Sequence, residues 1–299
     1  MPQNNLDVLP LVGVLLATHK PSRFIADQIE SIKSQEGVRI RIYWGDYESP
    51  ESEKEYVRGL LGDINFKEYQ IYDPGPAANF FFLLKQASEE YIAFSDQDDI
   101  WMPNKLVNQV NLLHGNSEIP SLAHSNSEVL FKGKRIIKKS RCQNHDFATL
   151  AVTNCCQGCT MMINSAARET ILSSLPEGII WHDWWIGLVM CLTGRLYLST
   201  ETEVLYRIHE GNVIGLPKFS KRLRNFLQHP QGQISYQINE AIERFGNLEI
   251  NDPKSFQHIR NLTSPTMKIR FLSNMSHRSR RDNNLVDFLR RLAWVLKQP

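Results

Sequence analysis

An α/β fold built on a doubly wound sheet is predicted by three features of the sequence. Leu11 to Ala17 is a continuous apolar run, the pattern of a strand buried on both faces. Apolar strand segments and amphipathic helical segments then alternate as far as Ser95. The fourth strand segment runs directly into Asp96-Gln97-Asp98-Asp99, and ligands of such sheets sit outside the carboxyl ends of the strands.

Each element follows from local pattern. The first strand stops at Thr18-His19-Lys20-Pro21, and Pro21 is a good first-turn residue for a helix carrying Phe24, Ile25, Ile29 and Ile32 at helical spacing. Val38, Ile40 and Ile42 alternate with Arg39, Arg41 and Tyr43, predicting a half-exposed second strand. Residues 52–61 read as a helix and 68–72 as a short third strand. Asp73-Pro74-Gly75-Pro76 is a turn, followed by a buried helix from Asn79 to Ala87 with Phe80, Phe81, Leu83 and Leu84. Tyr91 to Ser95 is the fourth strand, which places Thr18, Asp46 and Asp96 at one end of the sheet.

Beyond Asp99 the pattern predicts a helix over 103–113, short strands between 121 and 162, helices over 165–173 and 182–192, and two strands, 195–198 and 203–206. From Gly211 onward it changes to basic, amphipathic helices.

Composition narrows the function classes. A formal charge of +2 argues against a nucleic-acid-binding protein, although the charge is unevenly placed. From Lys268 to the end eight Lys and Arg stand against Asp282 and Asp287, so the remainder of the chain is net negative. Met1 to Asn5 does not read as a secretory signal. The longest apolar runs are too short to cross a bilayer, which takes roughly 20 residues. A cytoplasmic protein, peripheral on the inner face of the plasma membrane through its tail, is expected. That tail sets Arg278, Arg280, Arg281, Arg290 and Arg291 beside Leu285, Phe288, Leu289, Leu292 and Trp294, a pattern suited either to an anionic membrane or to packing on the rest of the chain. The five cysteines do not read as a disulfide framework and suit a reducing compartment. Zinc held by Cys155, Cys156, Cys159 and His145 is disfavoured, because no second CxxC and no finger-spaced C-to-H pair is present.

The acidic cluster carries the chemistry. Carboxylates crowded at a strand end repel one another unless a positive charge is near, and Mg²⁺ or Mn²⁺ bound to a diphosphate meets that need with one or two protein carboxylates. A solvated turn capping the next helix through Asp99 is the structural alternative, made less attractive by the buried strand before it and by Ile100-Trp101-Met102-Pro103 after it. Asp183, at the start of an apolar helix, reads both as a helix cap and as a general base. Trp181, Trp184 and Trp185 read as core residues. No GxGxxG follows the first strand and no GxxxxGK[ST] occurs, so dinucleotide and P-loop enzymes are disfavoured. A nucleotidyltransferase would carry a glycine-rich basic loop where this chain has Ala17-Thr18-His19-Lys20.

Phe94 to Trp101, with Gly75 to Phe80, Pro103-Asn104-Lys105-Leu106, Gln157 to Asn164, His182-Asp183-Trp184-Trp185 and Tyr206 to Asn212, resembles glycosyltransferase family 2, and within it the bacterial rhamnosyltransferase-like branch. The resemblance covers about residues 11 to 215. It implies a GT-A type, nucleotide-sugar-binding mixed sheet over 8–215 with a basic, mainly helical extension over 216–299. It also implies a nucleotide-sugar site drawn from Ala17, Thr18, Asp46, Asn79, Asp96, Gln97 and Arg207, in which Thr18 and Asp46 line the base pocket, Asp96 meets the ribose and Arg207 the diphosphate. Asp98 and His209 would hold a divalent cation, Mg²⁺ or Mn²⁺, Asp183 would be the catalytic base that takes the proton of a sugar hydroxyl in an inverting transfer, and one of Trp181, Trp184 and Trp185 would face a sugar ring. The implied donor is dTDP-rhamnose and the acceptor a lipid-linked saccharide. A departure from the family pattern falls after the second strand, where in place of an Asp-Asp-Gly-Ser type turn the chain reads Trp44-Gly45-Asp46-Tyr47-Glu48-Ser49, in which only Asp46 survives. A non-catalytic sugar-nucleotide-binding protein, or a transferase of a UDP-sugar, is the alternative that this departure leaves open.

Overall fold

The computed structural model describes residues 9–21, 23–131, 133–136, 146–151, 154–209 and 231–245. Among them the elements run β1 (Leu11–His19), α1 (Ile25–Lys33), β2 (Arg39–Tyr47), α2 (Glu51–Leu61), β3 (Phe66–Ile71), α3 (Pro76–Gln86), β4 (Tyr91–Ser95), β5 (Ile100–Trp101), α4 (Lys105–Leu113), β6 (Ser121–Phe131), β7 (Lys134–Ile136), α5 (Phe147–Leu150), a 3₁₀ turn (Gly158–Thr160), β8 (Met161–Asn164), α6 (Ser165–Ser174), α7 (His182–Thr193), β9 (Arg195–Ile208) and α8 (Gln231–Phe245).

The strands form one mixed sheet in the order β3-β2-β1-β4-β8-β6-β9-β5, with β7 on β6. The first half is parallel, as the alternation of strands and helices predicts, and β8 pairs antiparallel to both β4 and β6. Side chains sort by the two-residue period of a strand. From β1 and β4, Val12, Val14, Leu16, Tyr91 and Ala93 enter the core under α1, α2 and α4. Leu15, Ile92 and Phe94 enter the opposite core, with α3, α6, α7 and α8. Burial on both faces is what a continuous apolar run encodes.

Three sequence expectations are corrected. β2 is half-exposed only at its start; from Ile42 to Asp46 it is buried, because α3 covers one face and the core shared with α1 and α2 the other. The expected short strands of 121–162 include one of eleven residues, β6. The two strands expected between 195 and 206 are one, β9, which follows β6 for its whole length with register shifts near Asn126. The polar Ser199-Thr200-Glu201-Thr202 stretch spans those shifts, so local pattern there imitates a loop. α8 packs its Ile238, Ala241 and Phe245 into the core that holds α7.

Cys156, Cys159 and Cys191 are buried and outside any disulfide, in accord with the reading of small core residues. Cys155 is disulfide-bonded, which departs from the all-thiol expectation, and His145 lies outside the described residues. The basic tail and both of its readings also lie outside them. Among the described residues no helix is long and apolar enough to cross a membrane.

Candidate active site

The mouth of the site is built where β1, β2 and β4 end together. Parallel register sets Ala17 opposite Gly45 and Thr18 opposite Asp46. The Thr18 hydroxyl donates to Asp46 Oδ1 at 2.7 Å and accepts from Trp44 Nε1 at 2.8 Å. Asp46 also accepts from the Ser49 hydroxyl (2.6 Å) and from the Ser49 backbone N–H (3.1 Å). The replaced turn thus keeps its Asp-x-x-Ser frame, and Glu48 takes the left-handed backbone, φ 56°, that glycine would adopt more cheaply. Ser49 and Trp44 were not singled out from the sequence; the spacing of Asp46 and Ser49 was the available signal.

Thr18 and Asp46, expected to line a base pocket, are 2% and 1% exposed and form a buried hydrogen-bonded pair. At the rim the rings of His19 and Tyr47 lie 5.3 Å apart. Asn79, expected at the nucleotide, is buried and its amide N–H₂ donates to the Gly45 carbonyl at 3.0 Å. A Cβ on Gly45 would meet Asn79 Oδ1 at 2.2 Å, so the close approach of α3 to β2 requires glycine there. Gln97 clamps the end of β1, accepting from His19 N–H and donating to His19 O.

The acidic cluster meets the end of β9 through tertiary pairing. β5 runs antiparallel to β9, with Ile100 opposite Leu205, which brings the residues before Ile100 alongside those after Leu205. Arg207 N–H therefore donates to Asp99 Oδ1 (3.0 Å), Arg207 Nε–H to the Asp98 carbonyl (3.0 Å), and His209 Nε2 lies 2.7 Å from Asp98 Oδ2. The Arg207 guanidinium also pairs with Asp27 at 2.7 Å and lies 4.3 Å from the centre of the Phe24 ring, neither of which the sequence suggested.

Electrostatics mark the cluster as short of positive charge. Burial, and then the charge of Asp98, push the Asp99 carboxyl up to about 7. Asp96 is held well above the usual carboxylate range by lost hydration first and then by the charges of Asp99, Asp98 and Asp183. One ligand atom each from Asp96, Asp99 and Cys159 lies within 4.8 Å of the others. A buried thiol is a soft ligand poorly matched to Mg²⁺ or Mn²⁺, whereas the Asp98 carboxylate and the His209 imidazole converge as a donor set that fits such an ion.

Asp183 is the second residue of α7, beyond its N-cap position Trp181. Its carboxylate accepts from Asn154 Nδ2 (2.8 Å), Gly158 N–H (3.2 Å) and Trp184 N–H (2.8 Å). It is therefore tied to the loop before β8 as well as to its own helix, and its charge contributes to holding Asp96 protonated. Of the three tryptophans, Trp185 is fully buried, and Trp184 is 7% exposed with its indole N–H on Leu150 O at 2.6 Å. Both are core residues, because an apolar helix wedged between α3, α5, α6 and α8 turns them inward. Only Trp181 is half-buried and compatible with the expected sugar contact.

A mixed sheet whose parallel strand ends deliver a carboxylate cluster to one mouth is the architecture of GT-A type glycosyltransferases. Residues 14–171 match the family described as Glycosyl transferase family 2. The chain belongs to that family. It is 27% identical over 221 residues to the dTDP-rhamnosyl transferase RfbG of Shigella flexneri, covering 67% of this chain and 73% of that one. It is 26% identical over 247 residues to the UDP-Glc:alpha-D-GlcNAc-diphosphoundecaprenol beta-1,3-glucosyltransferase WfgD of Escherichia coli, covering 78% and 92%. Among solved structures, the mannosyltransferase PcManGT from Pyrobaculum calidifontis, in complex with GDP-Man and Mn²⁺, superposes with a TM-score of 0.57 at 15% identity, covering 98% of this chain and 84% of that one.

Proposed function

We propose that this glycosyltransferase is metal-dependent and inverting, and that it transfers rhamnose from dTDP-rhamnose to a lipid-linked saccharide in cell-surface polysaccharide assembly. The observation that carries the reading is the convergence of Asp98 with His209 at 2.7 Å beside the acidic strand end. Similarity to RfbG supports the donor, and similarity to WfgD, whose name specifies a diphosphoundecaprenol-linked acceptor, supports the lipid-linked acceptor.

Asp98 and His209 would hold Mg²⁺ or Mn²⁺, which supplies positive charge for the diphosphate. Thr18, Asp46 and Ser49 form the floor of the base pocket, with Asp96 towards the ribose and Ala17 and Gln97 shaping the strand end beside it. Arg207, once drawn from Asp27, adds a guanidinium to the leaving group, where negative charge grows. A sugar hydroxyl attacks poorly unless its proton is taken as the bond forms, and the Asp183 carboxylate, held by three hydrogen bonds, would take it. Trp181 is the candidate platform for the acceptor sugar.

The test is a thermal-shift series of dTDP, UDP and GDP with and without Mn²⁺, followed by incubation of labelled sugar nucleotides with extracted bacterial lipids. A ligand that binds only the native state raises its apparent stability. A shift specific to dTDP and dependent on Mn²⁺ is expected. A shift specific to UDP would instead assign a UDP-sugar, and nucleotide binding without any transfer would assign a binding protein.

A further inference from the structure

We infer that Gln237 of α8 is a positioning residue for Asp183, so that the C-terminal extension builds part of the active site. This rests on the reading of Asp183 as the base.

The start of α7 is unusual in how it is held. Its N-cap residue, Trp181, makes no side-chain capping bond. Its backbone is instead gripped from α8: Trp181 N–H donates to Gln237 Oε1 at 3.1 Å, and Gln237 Nε2 donates to Trp181 O at 3.2 Å. The two residues are 56 positions apart. The same Trp181 carbonyl accepts Trp185 N–H at 3.0 Å, the bond that closes the first turn of α7. That turn carries Asp183.

Chemistry accounts for glutamine at this point. A primary amide offers both a donor and an acceptor, so a single side chain can satisfy the N–H and the C=O of one residue. Gln237 is 2% exposed, and a buried amide without partners is costly, so the grip on Trp181 is what makes this polar side chain tolerable in an apolar core. The rest of α8 is anchored independently, by Ile238, Ala241 and Phe245 in the core and by the Tyr236 hydroxyl donating to Glu177 O at 3.0 Å. Gln237 can therefore act as a fixed point against which the first turn of α7 is set. A displacement of about 1 Å at a reacting group can reduce a rate by on the order of a hundredfold.

The test compares Gln237→Met, which keeps the volume and removes both bonds, with Tyr236→Phe, which removes a bond from the same helix but leaves the grip. Both full-length variants are assayed with whichever of dTDP-rhamnose, UDP-glucose and GDP-mannose the unchanged protein turns over on a bacterial lipid extract. Hydrogen–deuterium exchange is read across residues 181–185. Q237M is expected to lower kcat by roughly tenfold to a hundredfold with donor KM within about twofold, and to speed exchange in 181–185 while β1 to β4 stay protected. Y236F is expected to stay within about twofold in kcat. If Q237M does not melt cooperatively, Gln237→Glu, which keeps the acceptor for Trp181 N–H and loses the donor, is carried through the same measurements. Unchanged kcat, unchanged exchange, or an equal loss in Y236F would overturn the inference. Asp183→Asn is run alongside: if it retains turnover the base assignment fails, and the exchange data still decide the grip.

Discussion

His209 Nε2 and Asp98 Oδ2 lie 2.7 Å apart although 111 residues separate them in the chain. The pairing of β5 with β9 makes this contact, and it joins the acidic strand end to a cationic segment at the far side of the sheet. If both side chains serve one divalent ion, removing either should abolish the effect of metal on nucleotide binding.

Asp98→Asn is expected to eliminate the Mn²⁺-dependent part of the thermal shift produced by a nucleoside diphosphate, and turnover with it, because the amide leaves the cation's charge uncompensated. His209→Ala should weaken the same shift. Equal shifts with and without Mn²⁺ in the unchanged protein would remove the basis for the site.

Asp183→Asn should cut turnover by roughly a hundredfold or more, the scale of lost general-base assistance, while nucleotide-induced thermal shifts persist. The amide can still accept the hydrogen bond from Trp184 N–H, so α7 should hold its place. A joint loss of donor binding and stability would point to a helix-capping role.

Thr18→Val should weaken nucleoside diphosphate binding both with and without metal, in contrast to D98N. The isosteric change removes the donor to Asp46 and strands the Trp44 indole N–H, and a buried group left unpaired costs about 1–3 kcal/mol. Isothermal titration with dTDP and UDP checks it, and unchanged affinity would separate this floor from base recognition.

Lys105 predicts a pH dependence of stability. It is fully buried, its Nζ is 4.1 Å from the centre of the Trp101 ring and 3.3 Å from Gln109 Oε1, and burial lowers its pKa to about 8 against the opposing charge of Glu203. The unfolded chain keeps this proton to higher pH, so between about pH 8 and the unfolded value of about 10.4 it binds more protons than the native state, and stability from this group rises with pH. Thermal melts should show the unchanged protein gaining on Lys105→Met between pH 7 and pH 9.5. A difference that is flat or falls with pH counts against a strained buried ammonium.

The basic tail is read from the sequence as a peripheral anchor that brings the site to a lipid-linked acceptor. Co-sedimentation with anionic vesicles should be strong at low salt, weak at high salt and lost on truncation after Thr266, since each basic residue near such a surface contributes about 1 kcal/mol. Equal binding by both chains, or by neither, assigns the tail to packing.

The sequence by itself determined the parallel half of the sheet, the continuous burial of β1 and β4, most helix limits and the strand end that carries Asp96 to Asp99. These depend on apolar period and on turn residues, which near neighbours along the chain encode. It also supplied the family resemblance through contiguous motifs. Only the tertiary structure decided which residues meet: that Ser49 completes the frame of Asp46, that β9 is one strand delivering Arg207 and His209 to the acidic cluster, that Trp184 and Trp185 face inward, and that Gln237 grips the helix start of Asp183. Those outcomes depend on strand register and on packing between segments far apart in the chain, where a single polar residue such as Gln237 leaves no periodic trace in the sequence.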